Sequence, residues 1–174
     1  MKPTQSRTFY GKYRGIVVNN IDPQQRGRLQ VTVPDVLGLT PSSWAEPCVP
    51  LAGAGSPMGI YIVPPIGAGV WVEFEQGDAG YPIWVGCRWG MASDIPAAAL
   101  TGAATSPSIV LQTMGQHTIV MSDQPGAAGG ITLRSASGVT LMVNDTGIFL
   151  QNQGGMVQIS GKSVDVNNGA LTVT

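Results

Sequence analysis

Charge is what this chain has least of. Across 174 residues it carries nine lysines and arginines and ten aspartates and glutamates, a charged share of 11%, where an ordinary soluble domain has about 25%. With 43% hydrophobic residues, that scarcity excludes a disordered chain, which combines low hydrophobicity with high charge. Net charge is −1, and the basic residues fall mainly in the first third (Lys2, Arg7, Lys12, Arg14, Arg26, Arg28). That distribution gives no clustered cationic footprint for a phosphate backbone, so no nucleic-acid partner is expected. Histidine occurs once, as His117, and cysteine twice, as Cys48 and Cys87. A multi-histidine metal site is excluded, the two cysteines lack metal-ligand spacing, and neither metal nor cofactor is expected. Two cysteines cannot make a disulfide framework; one bridge stays open as an alternative, with two buried free thiols in a reducing compartment the expectation.

Long apolar runs are missing too. The start, "MKPTQSRTFYG", has no apolar core of the kind a signal peptide needs. "IPAAALTGAA" is too short and too weakly apolar to cross a bilayer. The expectation is a soluble product made in the cytoplasm; action outside the cell would need a carrier other than the general secretory route. Also absent are stretches of Leu, Glu, Lys and Ala at helical spacing. Gly 24 and Pro 13, with abundant Val and Thr, point instead to an all-β protein.

What is present is alternation. "SGVTLMVNDTGIFLQNQGG" (137–155) places Val139, Leu141 and Val143 on one side, turns at Asn-Asp-Thr-Gly, and returns Ile148 and Leu150 to that side. A period of two marks a strand with one buried face. Before residue 90 the texture is that of a small barrel, with strands expected at Gly15–Asn20, Arg28–Pro34, Gly59–Val63, Val70–Glu75 and Ile83–Arg88. In the second of these Leu29, Val31 and Val33 point in. Five short strands in residues 13–90 fit a closed barrel of the OB type, which hides its own edges. Residues 1–12 read as an N-terminal arm. Residues 91–107, "MASDIPAAALTGAATSP", lose the alternation and read as a linker with room for a short helical turn. Over 108–174 short strands alternate with glycine turns, and Gly138, Gly147, Gly155, Gly161 and Gly169 recur roughly every eight residues, as in a repeated β unit.

That repeat needs cover. Exposed sheet edges are ordinarily blunted with Lys, Glu or Pro, and those residues are nearly absent here. Each strand offers two or three apolar side chains worth about 2 kcal/mol apiece when fully buried, yet nothing after residue 107 forms an opposing layer. A single-chain β-helix would use about three segments per coil and fall short of the usual minimum number of coils. Three identical chains about one threefold axis solve both problems, with every strand stacked on one from a neighbouring chain. Seven or eight layers then give a rod of roughly 35 Å. The expected dry interior is Val139, Leu141, Val143, Ile148, Leu150, Val157, Ile159, Val164 and Val166.

The order "GKYRGIVVNNIDPQQRGRLQVTVPDV", "SSWAEPCVPLAG", "PPIGAGVWVEFEQGDAGYPIWVG" and "MGQHTIVMSDQPGAAGGITLRSASGVTLMVNDTGI" resembles the central spike proteins of contractile injection machines. These are the phage baseplate assembly protein V type and the OB-plus-needle part of type VI VgrG proteins. The resemblance runs from about Tyr13 to the last residue. It implies a homotrimer with an OB collar beneath the tail tube and an intertwined trimeric β-helix or β-prism needle that breaches the target envelope. It also implies a separate hub protein on the arm and collar and a PAAR-type tip protein on the far end, with Leu171, Val173 and Thr174 as its docking residues. The implied setting is a phage tail or injection particle.

Enzyme readings find no constellation. Glu73 and Glu75, two apart on one expected strand, share a face as a glycosidase pair would, but their place on a barrel strand fits solvated or subunit-contacting carboxylates. Ser160-Gly161-Lys162-Ser163 lacks the upstream glycine of a phosphate loop and reads as a turn. No catalysis is expected. The alternative function is an oligonucleotide- or oligosaccharide-binding OB module with a β-repeat oligomerisation tail, stacking bases on Trp71, Phe74, Trp84 and Trp89 with Arg28 and Arg88 on phosphates. Against it, the same aromatics can fill the barrel and its trimer contacts.

Overall fold

The computed structural model describes residues 7–53 and 55–174; residues 1–6, the first half of the expected arm, lie outside them. The chain divides into two compact units, Met1–Gly90 and Met91–Thr174.

The first unit is a five-stranded barrel. Its strands are β1 (Tyr13–Asn19), β2 (Gln30–Thr32), β3 (Glu46–Pro47), β4 (Gly69–Phe74) and β5 (Pro82–Arg88), with one helical turn, α1 (Pro34–Leu37), after β2. The sheet order is β2-β1-β4-β5-β3, antiparallel throughout except for the parallel pair β3–β5. Residues just before β2 and β3 close the ring, because Leu29 and Ala45 exchange both backbone hydrogen bonds at 3.1 and 2.7 Å. This bridge curls the sheet back on itself, so that the edge strands β2 and β3 partly cover one another. Leu29, Val31 and Val33 are fully buried, with Val17, Ala45, Val70, Val72, Phe74 and Trp84 completing the core. From the expected arm, Phe9 donates its N–H to the Gly77 carbonyl at 2.8 Å and sets its ring 6.1 Å from that of Phe74.

One expectation about these strands and one about the cysteines are corrected. Gly59–Val63 is not a strand. Among the described residues its only ladder contact is one bridge to Ala52, Met58, Ile60, Tyr61 and Ile62 are exposed, and Pro64 and Pro65 offer no N–H to continue pairing. The fifth strand is the two-residue β3, too short to show any period. The cysteines are free, but exposed rather than buried, because Cys48 and Cys87 sit at the margins of β3 and β5 outside the core.

A buried ion pair anchors the turn between β1 and β2. The Arg28 guanidinium donates to both oxygens of Asp22, the shortest bond being 2.6 Å, and the N–H groups of Gln24, Arg26 and Arg28 donate to the same carboxylate. The Arg28 bond, opposed by burial and reinforced by those backbone donors, holds the Asp22 carboxyl well below the usual carboxylate range. Arg28 also lies 5.5 Å over the Trp44 ring. The "DPQQRGR" segment is thus a turn wrapped round one carboxylate.

The second unit begins with two short 3-10 turns, Ala92–Asp94 and Ala97–Leu100, inside the segment read as a linker. Eight strands follow: β6 (Ile109–Gln112), β7 (Thr118–Ser122), β8 (Gly130–Arg134), β9 (Thr140–Asn144), β10 (Gly147–Gln151), β11 (Met156–Ser160), β12 (Ser163–Val166) and β13 (Leu171–Val173). They form one antiparallel meander in strict chain order. Each strand therefore pairs with its sequence neighbours in the same chain, which corrects the expectation that strands stack on those of other chains. The hairpin turns are short, and adjacent strands joined by a tight turn meet with little loss of chain entropy. Gly130 and Gly147 open their strands at φ 88° and 144°. A Cβ there would stand 2.0 Å from the Val143 carbonyl oxygen and 2.2 Å from that of Ile159, so these turn glycines let neighbouring strands close.

Candidate functional site

The meander's register builds a site that spans its whole width. Cross-strand pairing links Ile109, Met121, Ile131, Val143, Ile148, Ile159, Val164 and Val173 into one column. It links Leu111, Ile119, Leu133, Leu141, Leu150, Val157, Val166 and Leu171 into a second. Both columns lie on one face because they alternate along every strand. All sixteen positions are apolar. With strands about 4.8 Å apart, the two columns run roughly 34 Å from β6 to β13.

Exposure reverses what an isolated sheet would show. Twelve of the sixteen are exposed, from Ile148 at 38% to Ile109 at 60%, while Leu141, Val157, Val164 and Val166 are half-buried. On the opposite face Thr118, Val120, Ser122, Thr132, Thr140, Met142, Asn144, Phe149, Gln158 and Asp165 are half-buried. The solvated side of this chain is its apolar side. Covering a half-exposed Leu or Ile is worth on the order of 1 kcal/mol, so a dozen supply on the order of 10 kcal/mol per chain before the costs of association. A contiguous apolar face of this size marks an interaction surface.

Of the expected interior residues, Leu141, Val143, Ile148, Leu150, Val157, Ile159, Val164 and Val166 lie in the two columns. Val139 sits one residue before β9, its N–H bonded to Ser135 Oγ at 3.0 Å, and is 47% exposed. The expected docking residues Leu171 and Val173 occupy the last rung, on edge strand β13, both 59% exposed; Thr174 follows that strand and is exposed. The expected interior omits six column members before residue 135: Ile109, Leu111, Ile119, Met121, Ile131 and Leu133. Their signal was available, since "IVLQT", "HTIVMS" and "GITLRS" carry the same period of two.

Other candidates fall apart as sites. Strand β4 ends at Phe74 and Glu75 opens a 3-10 turn, so Glu73 and Glu75 do not share a strand face as expected; Glu73 pairs instead with Lys12 at 2.5 Å. Ser160 and Ser163 face each other across the β11–β12 turn. His117 is exposed, its Nδ1 accepting the Ala136 N–H at 3.4 Å. Phe74 and Trp84 are core residues and Arg28 is held by Asp22, so the set proposed for stacking bases is dispersed. A shallow depression of about 630 Å³, lined by Ser137, Val139 and Asn152 to Gly155, holds no ionisable side chain. Among the described residues no cluster of His, Cys, Asp and Glu could hold a metal ion, and no helix is long and apolar enough to cross a membrane.

Compared with protein-family models, residues 13–89 match the type VI secretion system/phage-baseplate injector OB domain. Residues 108–172 match the phage baseplate V C-terminal trimerisation domain, the stretch that carries both apolar columns. No curated protein matches the chain.

Proposed function

Since the chain belongs to the phage baseplate V family, with the injector OB domain followed by the trimerisation domain, we propose that it is the central spike of a contractile injection machine. The families are structural components of baseplates, and the second domain supports a homotrimer within such an assembly. The observation that carries the reading is the sixteen-position apolar face, twelve positions of which are exposed in one chain and none of which is polar. Three such faces turned toward one threefold axis make a prism-shaped needle with a dry interior, and cyclic symmetry keeps the assembly finite around that axis.

The role is mechanical. Contraction of a sheath drives the tube forward, and a narrow β-rich rod concentrates that force on the target envelope. The barrels form a collar that matches the threefold rod to the ring of tube and hub. A hub protein on the N-terminal side and a small PAAR-type tip on Leu171, Val173 and Thr174 complete the assembly; both partners rest on the family resemblance. Antibody against residues 108–174 is expected to label one end of purified injection particles, at the baseplate. Labelling along the sheath, or none on intact and on baseplate-opened particles alike, would contradict the assignment.

A further inference from the structure

The outer face of β1, β4 and β5 in the barrel carries two arginines, Arg14 and Arg88, that make no ion pair among the described residues. Register sets Arg14 beside Trp71, and Trp71 beside Gly86. The next outward row is Ile16, Gly69 and Arg88. Ile16 is 43% exposed, Arg14 is exposed and Trp71 is half-buried. The Arg88 chain lies over Gly69, close to where a Cβ would stand, and its Nε is covered yet has no hydrogen-bond partner among the described residues. Two arginines thus flank an indole and an isoleucine, and Trp and Arg are the residues that most often anchor protein contacts.

Charge complementarity says what covers this face. Within the barrel Lys12 pairs with Glu73, Arg26 with Glu46 and Arg28 with Asp22, while Arg7 lies 5.2 Å over the Phe9 ring. Among the described barrel residues Arg7, Arg14 and Arg88 are then the cations without a carboxylate, Arg14 and Arg88 being the two on this face, and Asp35, Glu75 and Asp78 the carboxylates without a cation. All three carboxylates are exposed and none belongs to the two outward rows. Contacts in a cyclic trimer join two different patches of the same protein, which is the arrangement these leftover charges require. The trimerisation domain raises the supply of the complementary patch, because barrels tethered to one assembly by the short segment 91–107 meet at millimolar effective concentration.

We infer that the Arg14–Ile16–Trp71–Arg88 face is the contact between barrels in the collar and receives the Asp35 or Glu75–Asp78 carboxylates of the neighbouring copy. This rests on the trimeric reading given above. The test uses the full chain with Ile16→benzoylphenylalanine, irradiated after its trimeric mass has been verified. Cross-links between subunits are expected, on peptides containing Asp35 or residues 75–78, and adding Arg14→Glu with Arg88→Glu should lower their yield several-fold. A trimer giving only cross-links within a chain, or cross-links indifferent to the two glutamates, overturns the collar contact and leaves the spike standing. A single-stranded oligonucleotide whose gel shift requires Arg14 and Arg88 overturns it in favour of a nucleic-acid face. A chain that is not trimeric removes both the collar contact and the spike.

Discussion

A Leu141→Asp chain is expected to sediment as a monomer with its barrel intact. Leu141 lies in the middle of one apolar column, paired across the sheet with Leu133 on one side and Leu150 on the other. In a threefold needle the substitution places three carboxylates near one axis. Each copy loses about 1–2 kcal/mol of apolar burial, and each ionised carboxylate adds several kcal/mol of desolvation with no cation to answer it. Charges of one sign then repel across a medium that screens them poorly. The total exceeds what on the order of 10 kcal/mol per chain of covered surface leaves after association costs. Gln151→Asp supplies the control, because Gln151 is exposed on the opposite face, paired with Thr140 and Met156, and that variant should remain trimeric. If Leu141→Asp still sediments as a trimer, the apolar columns are not the interface.

The second large effect is confined to the barrel. Asp22→Asn removes the charge that holds Arg28, and leaves a guanidinium and several backbone N–H groups competing for one amide oxygen where a carboxylate served them all. Breaking such a pair by changing one partner is far more costly than never having built it. The variant's barrel should melt well below that of the parent while the C-terminal sheet keeps its transition. The acid limb gives the sign. Since the folded-state pKa of Asp22 lies below its ordinary value, the pair's contribution is complete above about pH 4, the unfolded value, and fades as pH falls through and beneath it. Parent and variant melting curves should therefore separate at neutral pH and converge in acid. A gap between them that stays constant from pH 7 to pH 2 would show that the Asp22 charge contributes nothing.

Much of this architecture is legible because period two is a strong signal when one face is wholly apolar. Leu29, Val31 and Val33 announce the barrel core, and every strand of the meander from β9 to β12 lies where alternation places it. The failures have physical causes. Strand β3 has two residues, too few for any period, and is defined by its parallel pairing with distant β5. The segment 59–63 has strand-like side chains, yet its backbone is stopped by Pro64 and Pro65 and its apolar groups face outward. Period alone does not show where a strand stops, so the sequence extends β4 to Glu75, which opens a 3-10 turn instead. The meander is the instructive case. Alternation revealed an uncovered face correctly, but it carries no information on which chain supplies the hydrogen bonds along each edge; tight turns settle that in favour of sequence neighbours.

Sedimentation equilibrium of the purified 18.1 kDa chain goes directly to the central claim, that one apolar face with no cover of its own is closed by two further copies. The account predicts a single species near three times that mass, about 54 kDa, unchanged on dilution through the micromolar range. A folded, monodisperse species of one chain mass under the same conditions would contradict it.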